Sequence, residues 1–244
     1  MKVPSEPLTA LTQVIQCLSQ DDIVIRPADE GWKVFCLDPS HTMMANFIIN
    51  KDQFDEAEYD DEENRITFAV NRTALSNALK VVSGDTVDLK LDNGKIIISG
   101  GGSKVSFALT EFDPNTPIPT PKFQTTVDVE IDSEDLKGIL KGAALFKGIE
   151  HIIFEATEEG LTISGGSEHG AEVSSTINQD DCGAFDGVGK TKLALAAILG
   201  ITATIPKGAI VDVKFGTDLP IILSWGGPGW NLKWTAAPLV DRED

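Results

Sequence analysis

The residues of this sequence whose types could carry chemistry are few: His41, His151 and His169; Cys17, Cys36 and Cys182; a stretch GVGKTKLAL from Gly187 to Leu195; and an acidic run DEAEYDDEEN from Asp55 to Asn64. A phosphate loop of the form GxxxxGK[ST] wraps phosphate in backbone amides and needs a glycine five positions before Gly189. This chain has Ala184 there, and Gly183 is one residue early, so the stretch reads as the start of a helix. The acidic run lacks the glycine that a calcium loop needs for its sharp turn and reads as a solvated loop. The histidines show no metal-binding spacing, and no serine or cysteine sits in a nucleophile elbow. Three cysteines, far apart and without CxxC spacing, suggest neither a disulfide framework nor a zinc site. The expectation is a protein with no catalytic centre, no metal and no cofactor.

What remains is a pattern of charge. The 20 Lys and Arg are outnumbered by 38 Asp and Glu, a formal charge of −18, so any polyanion must meet a local positive patch and not the whole surface. Such a patch is suggested by three of four helix-like segments. Arg72 and Lys80 lie on Arg72 to Val82, Lys137 and Lys141 stand one turn apart on Ser133 to Leu145, and Lys190 and Lys192 open Lys190 to Ile201. The other, earliest in the chain, has an apolar stripe of Leu8, Leu11, Val14, Ile15 and Leu18 and carries no Lys or Arg. Set side by side, the charged helices would make a positive stripe suited to the regular phosphates of a duplex.

The elements that must position these helices are mostly alternating strands. In one of them Val105, Phe107 and Leu109 point one way while Ser106 and Ala108 point the other. Few helices and many hairpins predict an α+β fold, helices on one face of antiparallel sheets. The plan occurs twice. VDLKLDNGKIIISGGG from Val87 matches VDVKFGTDLPIILSWGG from Val211, and ADEGWKVFCLDPSHTMMANFIIN from Ala28 can be laid on ATEEGLTISGGSEHGAEVSSTIN from Ala156. Between the halves runs DPNTPIPTPKF, Asp113 to Phe123, whose four prolines fix φ and remove donors, so it reads as an extended linker. The expected domains are 1–112 and 125–244, joined by 113–124. With no signal-like start and no segment near the ~20 apolar residues of a membrane span, a soluble cytoplasmic protein is expected.

In this order and spacing the pieces resemble the DNA sliding clamps of archaea and eukaryotes, the proliferating cell nuclear antigen family. LDPSHTMM from Leu37 is similar to that family's D-x-S-H segment, PIPTPKF to its interdomain connector, GTDLPIIL to its penultimate hairpin and WTAAPLVDRED to its Ala-Pro tail with an acidic end. The resemblance implies two similar processivity-fold domains per chain. It implies a homotrimer whose six domains form a pseudo-six-fold ring, antiparallel sheets outside and helices lining the pore around double-stranded DNA, bound without regard to sequence. Arg72, Lys80, Lys137, Lys141 and Lys192 would then face phosphates.

The resemblance also implies a non-enzymatic tether for DNA polymerase, clamp loader, flap endonuclease and DNA ligase. Each would dock through a short motif of a glutamine with aliphatic and aromatic anchors. The receiving pocket would be Leu37, His41, Thr42 and Met44, with Ile118, Pro119 and Phe123 of the connector and Pro220, Ala237, Pro238 and Leu239. Subunits would meet strand to strand, Ser103 to Thr110 of one chain against Ala171 to Ile177 of the next, with Val105, Phe107, Leu109, Val173 and Ile177 packed there. The first helix departs from the family, which usually has lysines on it. A subunit of a heterotrimeric clamp, or a monomeric clamp-like processivity factor, cellular or viral, stands as the alternative.

Overall fold

The computed structural model describes residues 1–60, 65–113 and 123–240. The chain divides into two compact units, Met1–Pro119 with Gly227–Leu232, and Thr120–Gly226 with Lys233–Asp244. Among the described residues no helix is long and apolar enough to cross a membrane.

The first unit contains strands β1 (Lys2–Pro4), β2 (Asp22–Ala28), β3 (Gly31–Leu37), β4 (Met43–Asn50), β5 (Phe68–Asn71), β6 (Thr86–Asp92), β7 (Lys95–Gly100) and β8 (Ser103–Ala108). Its helices are α1 (Ser5–Cys17), α2 (Glu56–Tyr59) and α3 (Arg72–Val81). The strands pair antiparallel in the orders β1-β6-β7-β8 and β5-β2-β3-β4, and α1 packs beside α3. The stripe Leu8, Leu11, Val14, Ile15 and Leu18 is fully buried. At about 1.5–3 kcal/mol for each side chain removed from water, this burial outweighs the absence of a side-chain cap at Pro4.

The second unit repeats that topology. Along the chain follow β9 (Val127–Asp132), α4 (Ser133–Ala144), β10 (His151–Thr157), β11 (Gly160–Gly166), β12 (Glu172–Asn178), β13 (Phe185–Asp186), β14 (Gly189–Ala194), α5 (Leu195–Thr202), β15 (Ile210–Phe215), β16 (Ile221–Gly227) and β17 (Trp230–Ala236), of which Gly227 and Trp230 to Leu232 fall with the first unit. β14-β10-β11-β12 has the connectivity of β5-β2-β3-β4, and β9-β15-β16-β17 that of β1-β6-β7-β8. Matching residues do matching jobs. Asn71 Oδ1 accepts a hydrogen bond from the Ala74 amide at the start of α3, and Asp132 Oδ1 accepts one from the Glu134 amide at the start of α4.

Gly31 pairs with Asn50, and Gly160 pairs with Asn178. Both glycines have strongly positive φ, +134° and +143°. A Cβ would lie 1.9 Å from the Ile49 carbonyl oxygen in one unit and 2.2 Å from that of Ile177 in the other, so only glycine fits either hairpin entry.

Two expectations are corrected. The fourth helix begins at Leu195, and Lys190 and Lys192 lie on β14. Thr191 and Leu193 are buried while Lys190 is exposed and Lys192 half-exposed, a period of 2 that pairs β14 with β10 and prevails over the helical spacing. The described part of the acidic run is not a plain solvated loop either. It forms the short α2, whose Tyr59 is 1% exposed, sets its ring at a tilt 4.9 Å from that of Phe54 and donates its hydroxyl to the Ala28 carbonyl at 2.6 Å.

Candidate functional site

The segment LDPSHTMM is the turn between β3 and β4, and it closes on a buried side chain. Asp38 is 4% exposed, and its carboxylate accepts hydrogen bonds from the Ser40 amide at 3.2 Å, the Ser40 hydroxyl, the Thr42 hydroxyl at 3.2 Å and the Met43 amide. The main chain completes the knot, with the Asp38 amide donating to the Met43 carbonyl and the His41 amide to the Asp38 carbonyl, both at 2.9 Å. Burial raises the Asp38 pKa, but the bonds from Ser40, Met43 and Thr42 together outweigh it and hold the carboxyl below the usual range. At the apex His41 takes φ +60°, left-handed backbone that a non-glycine residue rarely adopts.

Ser40, His41 and Thr42 are exposed. Leu37 and Met44 are a cross-strand pair on the face away from Ala45, Phe47 and Ile49. Leu37 is half-buried on that face. Met44 is 8% exposed, so it contributes little open surface.

The residues expected from the second half of the chain gather on β14. The Lys190 carbonyl accepts from the Asp218 amide at 2.9 Å, the Thr191 hydroxyl donates to the Leu219 carbonyl at 2.8 Å, and the Lys192 carbonyl accepts from the Leu239 amide at 2.7 Å. One strand thus fixes both the turn that carries Pro220 and the tail that carries Ala237, Pro238 and Leu239. Pro220, Pro238 and Phe123 are half-buried, Ala237 is exposed, and Leu239 and Val240 remain 43% and 62% exposed. Ile118 and Pro119 lie outside the described residues.

The cations separate into three kinds. Arg72 Nε donates to the Gln20 carbonyl at 2.9 Å, with its guanidinium 3.9 Å from Asp21, and the side chain is only 19% exposed. Lys137 Nζ donates to the Ile205 carbonyl at 2.8 Å and lies 3.4 Å from Glu134, 14% exposed. Both are committed to main-chain carbonyls of their own unit. Lys80 on α3 and Lys141 on α4 are exposed helix cations. Lys192 lies instead on β14, where its carbonyl accepts from the tail.

α1 bears only Glu6 among charged residues, and α5 bears none. Between α1 and α3 runs a cleft of about 300 Å³ lined by Thr9, Thr12, Gln13, Gln16, Ser76, Leu79 and Lys80. The Thr9 and Thr12 hydroxyls donate back to helix carbonyls, so the donors left to the cleft are amides, the Ser76 hydroxyl and one ammonium.

β8 and β12 each end a four-strand order. Val105 and Phe107 pair with the buried Ile98 and Ile96, so they lie on the core face of β8 yet stay half-exposed; Leu109, one residue past the strand, is half-exposed too. On β12, Val173 is half-exposed and Ile177 is 8% exposed. Each edge thus carries an apolar row beside backbone groups that, among the described residues, meet no further strand of their unit.

Among the described residues no group of three or more His, Cys, Asp and Glu side chains is placed to hold a metal. Burial pushes the Cys36 thiol to about 12, and it raises Cys17 and Cys182 as well, the opposite of an activated nucleophile.

Comparison with known proteins fits this arrangement. No family model matches the chain. It is 29% identical over 221 residues, 87% of each protein, to DNA polymerase sliding clamp 1 of Pyrobaculum aerophilum. It is 24% identical over 234 residues, 91% of each, to the DNA polymerase sliding clamp of Methanococcus maripaludis. Among solved structures it superimposes on the PCNA of A. fulgidus, described with the C-terminal region of FEN-1 bound, at a TM-score of 0.88 and 18% identity, covering 100% of this chain and 99% of that one. A chain of the PCNA2–PCNA3 complex from Sulfolobus tokodaii aligns at 0.77 and 18% identity, 98% of each chain covered.

Proposed function

We propose, for a chain that has the PCNA fold and is similar along most of its length to DNA polymerase sliding clamps, that it works as such a clamp. It would encircle duplex DNA and tether replication enzymes without catalysing a reaction. The observation that carries this reading is the doubled topology, in which each unit ends a sheet on an edge strand with an apolar row. β8 ends a sheet of the first unit and β12 ends one of the second, so copies can join edge to edge, head to tail, with Val105, Phe107 and Leu109 against Val173 and Ile177. Head-to-tail contacts of one kind close into a ring when the rotation permits.

In a ring of three, domains 1–112 and 125–244 would alternate and the helices would face DNA. Lys80 and Lys141 then supply the direct phosphate attraction, and Lys192 stands off the helical face. Weak contact suits the role, because a closed ring is held by topology and strong contacts would hinder sliding. The turn at His41, the connector and the tail at Leu239 would receive partner motifs, raising the effective concentration of polymerase, flap endonuclease, ligase and clamp loader at DNA.

Light scattering tests the assembly, with a mass near three times 26.2 kDa expected. Retention on nicked circular DNA, with release once the circle is cut, tests encirclement. A stable monomer that leaves circular and linear DNA equally fast would refute the ring. A second reading, one subunit of a ring of different chains, is favoured by the likeness to the PCNA2–PCNA3 complex. It predicts that the isolated chain is not a trimer.

A further inference from the structure

We infer that Asp38 is the positioning residue of the partner-docking surface, the carboxylate that holds His41 and Thr42 in the shape a partner peptide meets. The inference rests on the docking reading above. Its grounds lie in the turn itself. A six-residue stretch from Asp38 to Met43 contains no regular structure before its last residue, yet it puts the side chains of Ser40, His41 and Thr42 in water and holds His41 at φ +60°, which is intrinsically unfavourable. Two main-chain hydrogen bonds tie it, from the Asp38 amide to the Met43 carbonyl and from the His41 amide to the Asp38 carbonyl. Besides these and a 3.1 Å contact between the Ser40 and Thr42 hydroxyls, the side-chain hydrogen bonds of the stretch converge on one carboxylate, with Oδ1 taking the Met43 amide and Oδ2 taking the Ser40 amide, the Ser40 hydroxyl and the Thr42 hydroxyl.

The side chain that makes these bonds is buried while the side chains it arranges are exposed. That is the arrangement of a group acting through its neighbours, since Asp38 has almost no surface for a partner to touch. Its effect on affinity is therefore pre-organisation. A turn already in its binding shape loses less freedom when a peptide docks, and a turn released from the carboxylate binds only from the fraction of time it regains that shape.

The two oxygens make the inference divisible. Asp38→Asn can keep Oδ1 as acceptor for the Met43 amide but sets an NH2 against the Ser40 amide N–H and takes away the acceptor of the two hydroxyl bonds. Ser40→Ala with Thr42→Ala removes the same two hydroxyl bonds from the other side. Asp38→Ala removes all of them.

The probe is the C-terminal peptide of A. fulgidus FEN-1, labelled and titrated into the full chain well below its melting temperature, with the amide resonances of Ser40 and Met43 followed in parallel. Expected is an affinity loss of about tenfold or more for Asp38→Ala, and a smaller loss, similar between them, for Asp38→Asn and the Ser40/Thr42 double variant. The Ser40 and Met43 amide shifts should move in step with affinity, while self-assembly and DNA retention stay at wild-type values. A purely structural role would instead lower stability and leave peptide affinity of the folded fraction unchanged. If Asp38→Ala does not fold, the other two variants decide. Wild-type affinity, within twofold, in every folded variant overturns the inference and leaves the docking reading standing; a wild-type chain that does not bind the peptide overturns both.

Discussion

Replacing Lys137 by methionine separates a structural cation from a DNA-facing one. Lys137 projects from α4, as Lys141 does one turn later, and the sequence offers no means of telling them apart. In the structure the Lys137 ammonium donates to the Ile205 carbonyl at 2.8 Å with 14% of the side chain exposed, whereas Lys141 is exposed. Methionine keeps the apolar stem and deletes the charge. It strands the Ile205 carbonyl just past α5, so the loss is that of a charge-assisted hydrogen bond, about 1.5–3 kcal/mol. The Glu134 ion pair at 3.4 Å is half-exposed on its acidic side and adds at most about 1 kcal/mol.

For a chain of this length unfolding in one step, each kcal/mol moves the melting temperature by roughly 2 °C, so Lys137→Met should melt about 3–6 °C lower. Lys141→Met should melt within about 1 °C of wild type. It should also bind DNA more weakly, with a shallower salt dependence, because about one counterion fewer is released for each phosphate that no longer meets a cation. Calorimetry and anisotropy titrations at several salt concentrations measure both. The reasoning is refuted if Lys137→Met melts with the wild type and loses as much DNA affinity as Lys141→Met.

Gly31→Ala and Gly160→Ala should each destabilise by more than about 3 kcal/mol in denaturant titrations, because the new methyl meets a main-chain carbonyl at positive φ in both hairpins. Asp38, with its folded-state pKa lowered, contributes stability that is present above its unfolded pKa and lost as pH falls through the folded value; wild type should therefore lose its advantage over Asp38→Asn below about pH 4 in acid unfolding curves. Asp212 has the opposite sign. Burial and its neighbour Asp128 raise its pKa, so its ionisation weakens the fold as pH rises above the usual aspartate value, and its Oδ1 is buried without a partner. Asp212→Asn should gain up to about 1 kcal/mol at neutral pH despite giving up the 3.4 Å ion pair with Lys214, read as an increase in denaturation midpoint.

Much of the fold could be read along the chain because it rests on local periodicity. The stripe from Leu8 to Leu18 is the buried face of α1, and of the apolar spacing Leu136, Ile139, Leu140 and Ala143 on α4 all but the half-buried Ile139 are buried. The repeated hairpins fall where the aligned segments put them, since Gly31 and Gly160 answer the same backbone requirement. Lys190 to Ala194 misled because Lys, Thr and Leu suit a short helix start as well as a strand; what decides is pairing with β10, some forty residues away. Tyr59 was hidden within its acidic run for the same reason, its hydroxyl partner being the distant carbonyl of Ala28.

The candidate site divides in the same way. Residue types and order along the chain were enough to single out the His41 turn, the Pro220 hairpin and the tail as one family pattern. Tertiary structure alone decided which polar groups are spent internally. Lys137 reaches a carbonyl 68 residues on and Arg72 one 52 residues back, while Asp38 is buried under its own turn. Periodicity reports which face of an element is apolar, but the partner of a charged side chain is set by where the chain returns in space, and so the sequence determined the elements and the structure determined which of their charges remain available.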